Sequence, residues 1–109
     1  MKVALLQYHI VWADIETNLR LTENRLASLR GKADVALLPE MFTTGFCTDR
    51  PELAEGMNSM TIKCLSDWAR KYDIAIAGSF IATDKGKLYN RGFFVLPDGN
   101  TIFIDKKHL

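Results

Sequence analysis

The chain has 109 residues, 48% hydrophobic, 10% aromatic and 25% charged, a composition that builds one small globular domain and excludes a disordered segment. Fourteen Lys and Arg against thirteen Asp and Glu leave a net charge of +1; without a basic block or a basic stripe interleaved with aromatics, nothing points to nucleic acid or to an anionic membrane. The two cysteines, Cys47 and Cys64, lack CxxC spacing and are too few for a disulfide scaffold.

In chain order, the opening MKVALLQYHIVW carries a short apolar run broken by Gln7, Tyr8 and His9, with no small-residue cleavage site after it. It reads as a strand over residues 2–8 rather than a leader, which places the protein in the cytoplasm. The period then changes: Ile15, Leu19, Thr22, Leu26 and Leu29 fall on one face of a helix, with Asp14 as N-cap and Gly31 as its stop. ADVALLPE is a short apolar strand that Pro39 must end, because proline cannot donate to a central ladder. Strand, helix and strand make a candidate parallel βαβ unit.

A long connection over 41–58, with Gly45, Pro51 and Gly56, leads to a second helix capped by Ser59, whose apolar face is Ile62, Leu65, Trp68 or Ala69, and Tyr72. DIAIAGSFIA, LYNRGFFVLP and TIFIDKK then read as strands joined by turns at DKGK and PDGN. The pattern is α/β with a mixed β-sheet and no repeat or interdomain linker.

Glu40 stands directly behind the ADVALLP run. A carboxylate there either ends the strand in solvent or faces a cleft, since ligands bind beyond the C-terminal ends of parallel strands. A second charged cluster, DKKHL, also follows an apolar strand. A Glu and a Lys meeting in a cleft keep each other ionised, the one serving as base and the other as electrostatic stabiliser. Alternation along TIFIDKK, if the strand stays extended, sets Ile102, Ile104 and Lys106 on one face and Thr101, Phe103, Asp105 and Lys107 on the other. The aliphatic pair marks its face as packed, while Phe103 marks the other as one that a sandwich also covers, so the pattern favours Lys106 as the partner without excluding Lys107.

ALLPEMFTTGF and DKKHL resemble the first two catalytic motifs of the nitrilase, or carbon-nitrogen hydrolase, superfamily, and the opening strand and helix, WARKYDIAIAGSF and YNRGFFVLPDGN occur in that family's order. The combination of PEMFTTGF with DKKHL is most similar to the omega-amidase group. The resemblance implies a four-layer αββα sandwich that pairs into homodimers or higher homo-oligomers, no cofactor, and a small-molecule amide substrate bearing a carboxylate. It implies Glu40 as general base, Lys106 of the KxHL pattern as stabiliser of the tetrahedral intermediate, and a cysteine nucleophile that forms a thioester.

The chain departs from the family in one respect. The nucleophile belongs to a motif beyond the lysine motif, and the sequence stops at Leu109, directly after KKHL. The nucleophile Cys is therefore absent: Cys47 sits in the connection and Cys64 within the second helix. Residues 1–109 are expected to form the N-terminal portion of one hydrolase domain, inactive alone, with an uncovered sheet face that favours association. Other branches (nitrilase, carbamoylase, aliphatic amidase) and a non-catalytic α/β module are the alternatives. His9 and His108 lack metal-ligand spacing, so no metal is assigned. Gly45 and Gly78 lack a phosphate-loop context. Among Tyr8, Phe42 and Phe46, Phe42 is the substrate-pocket candidate, because it follows Glu40 so closely.

Overall fold

The computed structural model describes residues 1–109 apart from the side chain of His108, so the surface or packing role expected of that histidine lies outside the described residues. Two helices carry the caps that the sequence predicts. The Asp14 carboxylate accepts from the Thr17 amide at 3.1 Å to open α1 (Ile15–Ala27), and the Ser59 hydroxyl accepts from the Ile62 amide at 3.4 Å to open α2 (Met60–Lys71). Each cap satisfies a donor that the first helical turn leaves without a partner. Leu19, Thr22 and Leu26 of α1 and Leu65, Trp68 and Ala69 of α2 are buried. Leu29 falls beyond the end of α1 and is half-buried.

Five strands form one mixed sheet in the order β1 (Val3–Leu5), β2 (Val35–Leu37), β3 (Ala75–Asp84), β4 (Lys87–Val95) and β5 (Thr101–His108). The first three run parallel and the last three antiparallel. β1 is shorter than the predicted 2–8, and its neighbour explains why. Pro39 ends β2, so pairing stops after the Leu6 amide donates to Leu37 at 2.9 Å. Tyr8 turns away to share a 2.6 Å hydrogen bond with Thr22 of α1. Lys85 and Gly86, at φ 51° and 77°, close the β3–β4 hairpin with both central residues left-handed, as a type I′ turn requires.

The helices cover one face of the sheet. Ile76, Phe80, Phe93 and Phe103 point to that side, where Phe42 meets Phe93 edge-on at 5.7 Å between ring centroids. The opposite face is open: Val3, Leu5, Leu37, Ile102 and Ile104 are 37–66% exposed. This corrects the reading of Ile102 and Ile104 as a packed pair. Phe103 is the residue of β5 that packs against the helix-side core, and with apolar side chains on both faces alternation cannot tell which face the chain itself covers. Covering five such side chains would contribute on the order of 1–2 kcal/mol each, comparable in sum to the whole stability of a small domain. Among the described residues no helix is long and apolar enough to cross a membrane.

Candidate active site

Glu40 leaves β2 through a turn that is held on several sides. Met41 adopts φ 50°, a left-handed conformation unusual for a residue with a side chain. Its amide donates to Ser79 Oγ at 2.9 Å, and the Phe42 amide donates to the Ser79 carbonyl at 3.1 Å, which lays the chain over β3. Asn18 of α1 donates to the Thr43 carbonyl at 2.7 Å. The Thr43 hydroxyl donates to Glu55 Oε2 at 3.0 Å, and Thr61 of α2 donates to Glu55 Oε1. Burial pushes the Glu55 carboxyl above its ordinary range, with the two hydroxyls partly offsetting it.

The Glu40 carboxylate emerges at an open depression of about 450 Å³ on the uncovered face, lined also by Leu37, Ser79, Gly92, Ile104 and Lys106. Lys106 Nζ lies 3.4 Å from Glu40 Oε1, the two side chains 48% and 42% exposed. Asn90 Nδ2 donates to the same oxygen at 2.7 Å. Among the described residues no donor reaches Oε2.

A bulge brings Lys106 there. The β4–β5 register slips between Asn90 and Arg91, so that Arg91 stands opposite Asp105 and Asn90 opposite Lys107, with Lys106 the extra residue. Lys106 lines the depression together with Ile102 and Ile104, as alternation expects; the bulge breaks the alternation after it, and the expectation that Lys107 takes the opposite face loses its basis. Arg91, 8% exposed, grips Asp105 with two hydrogen bonds, Nε to Oδ1 at 2.5 Å and Nη2 to Oδ2 at 3.1 Å, and reaches Asp84 at 3.0 Å. The fork holds the strand beside the bulge, and the guanidinium keeps the Asp105 carboxyl below its usual range. The stem of Lys106 crosses Gly92, where an added Cβ would come within 3.4 Å of Lys106 Cδ.

Phe42 does not line this depression. It is wholly buried in the helix-side core, because the turn after Glu40 sends the carboxylate to one face and the following aromatic ring to the other. Tyr8 packs beside α1, and Phe46 is 61% exposed away from the depression. Neither cysteine lines the depression. Burial pushes both thiols up, with Asp49 adding to the effect at Cys47 and Asp67 at Cys64, which disfavours the thiolate. His9 is exposed, and among the described residues no three His, Cys, Asp or Glu side chains form a metal-holding group.

Sequence reasoning missed Asn90, Ser79, Gly92 and Glu55. A signal existed for two of them, since Asn and Gly are depleted in strand interiors and NRG stands in the middle of β4.

Known proteins with this architecture complete the description. Over its whole length the chain is 38% identical to the omega-amidase YafV of Yersinia enterocolitica and 30% identical to an (R)-stereoselective amidase of a Pseudomonas species, spanning 42% and 40% of those relatives' lengths. A CN-hydrolase superfamily protein of Xanthomonas campestris, XC1258, solved with an arsenic adduct in its active site, superposes with a TM-score of 0.93 at 31% identity, over 99% of this chain and 41% of that one. The carbon-nitrogen hydrolase family model matches residues 2–109, so the chain belongs to the carbon-nitrogen hydrolase family.

Proposed function

We propose that this chain supplies the base and the oxyanion-stabilising lysine of an omega-amidase-like hydrolase, which cleaves the terminal amide of a small carboxylate-bearing substrate to acid and ammonia. The observation that carries the reading is the pairing of Lys106 Nζ with Glu40 Oε1 at 3.4 Å, beyond the end of a parallel strand and in an open depression. The 38% identity to an omega-amidase supports the substrate class.

In this reading the nucleophile is a cysteine supplied from outside residues 1–109. Glu40 takes the thiol proton as sulfur attacks the amide carbon, and Lys106 stabilises the charge gathering on the carbonyl oxygen. The C–N bond breaks, Glu40 returns the proton to the leaving nitrogen, and ammonia departs from a thioester. Glu40 then takes a proton from water, whose oxygen attacks the thioester carbon; the C–S bond breaks, Glu40 passes that proton to the departing sulfur to restore the thiol, and the acid leaves. Homo-oligomerisation and covering of the open face belong to the whole polypeptide in the same reading.

The test is ammonia release from the monoamide of a short dicarboxylic acid. The full-length polypeptide should release it, Glu40→Gln should lower turnover by ~100-fold or more, and the 109-residue chain should release none. Near-normal turnover in Glu40→Gln, or release by the short chain that alkylation of Cys47 abolishes, would overturn the proposal.

A further inference from the structure

We infer that Asn90 is a positioning residue for Glu40, holding one carboxylate oxygen so that the other is left to take protons; this rests on Glu40 being the general base. Asn90 is 6% exposed, in the interior of β4, and its Nδ2 donates to Glu40 Oε1 at 2.7 Å. The orientation of the amide follows from its neighbour, because turning the carbonyl toward a carboxylate would oppose two acceptors. Lys106 Nζ approaches the same oxygen at 3.4 Å. Two donors thus converge on Oε1 while none among the described residues reaches Oε2, which divides the carboxylate into an anchored oxygen and a working one.

A second observation separates this role from a structural one. With Nδ2 committed to Glu40, Asn90 Oδ1 is buried and has no hydrogen-bond partner among the described residues. A buried acceptor without a donor destabilises a fold, and an apolar side chain of similar volume would remove the problem. The fold alone gives no reason for asparagine between Tyr89 and Arg91; the carboxylate of Glu40 does. The contact is also of the stronger kind, a hydrogen bond to an ionised acceptor, and it fixes a side chain whose backbone leads directly into the Met41 and Phe42 amides held by Ser79. What remains to be set is the carboxylate torsion, and Asn90 sets it.

The experiment uses the full-length enzyme and ammonia release from a dicarboxylic acid monoamide. Asn90→Leu keeps the volume and removes both polar ends. Its kcat should fall about tenfold or more, with KM within about twofold and the thermal midpoint unchanged or raised. Asn90→Ser, whose hydroxyl is too short to reach Glu40 directly, serves as a second variant in case the leucine is not accommodated, and should show the same fall in kcat at constant KM. A kcat within about twofold of the parent in a folded variant would overturn the inference. So would losses in both variants that follow a lowered thermal midpoint, which is the mark of a structural role. Glu40→Gln reports separately: retained turnover there removes the base reading itself, whereas a collapse there beside unchanged Asn90 variants rejects only the positioning role.

Discussion

Replacing Lys106 with Ala should separate turnover from stability. The Glu40–Lys106 pair sits at 3.4 Å with its side chains 42% and 48% exposed. Unit charges at that distance attract by roughly 5 kcal/mol at an effective dielectric of 20, but solvent screening and side-chain entropy reduce exposed pairs to about 0–1 kcal/mol net. Lys106→Ala should therefore cost under ~1 kcal/mol of folding free energy. In the proposed mechanism turnover is another matter, because an oxyanion donor acts on charge that develops only in the transition state; its loss should cost on the order of 3 kcal/mol, roughly 150-fold in kcat. Lys107 is exposed and lies opposite Asn90 in the ladder, and Lys107→Ala should leave kcat within about twofold. Ammonia release and urea unfolding, measured on both variants of the full-length enzyme, decide it. Comparable losses of turnover, or a larger loss at Lys107, would refute the assignment, and a fall in stability matching the fall in activity would show that Lys106 acts through folding.

Two further outcomes test the elements around the site. Burial holds the Glu55 carboxyl above its ordinary value of 4.5, so its contribution to stability is full below that pH and is lost as pH rises through the raised value; the stability of Glu55→Gln relative to the parent should therefore rise across that window in urea titrations, and a flat or falling difference would reject the sign. Phe42→Ala, at a wholly buried ring against Phe93, should cost roughly 3–5 kcal/mol of stability; a small stability loss with a large change in KM would return Phe42 to the substrate pocket.

What was legible in the sequence followed local rules. Asp14 and Ser59 cap helices because a short polar side chain can bond the amides of the next turn, and the apolar spacing behind them needs no tertiary knowledge. The DKGK hairpin is local in the same sense. The length of β1 was not, since it is set by Pro39 on a different strand. Nor was the covered face of β5, where apolar residues stand on both sides. Alternation nominated Lys106, yet the bulge that places it depends on cross-strand register and on the Arg91–Asp105 fork, which a period-two pattern cannot contain.

The meeting of Glu40 with Lys106 shows why such a site hides in weak-looking strand residues. They are 66 positions apart in the chain, and β2 and β5 are separated in the sheet by β3 and β4, so their backbones run roughly 14 Å from one another at about 4.8 Å per strand spacing. No Glu–Lys pair closes that distance from ideal strand positions with ease. Three departures from regular strand structure close it. The turn after Glu40 is drawn over β3 by the two hydrogen bonds to Ser79, the bulge frees Lys106 from the ladder, and the positions in between are small. Ser79 and Gly92 stand directly opposite one another in the β3–β4 register, and both line the depression. By propensity each weakens its strand; by geometry each leaves the floor low enough for a lysine stem to cross. A bulky residue at either position would make better sheet and raise that floor between the two charges.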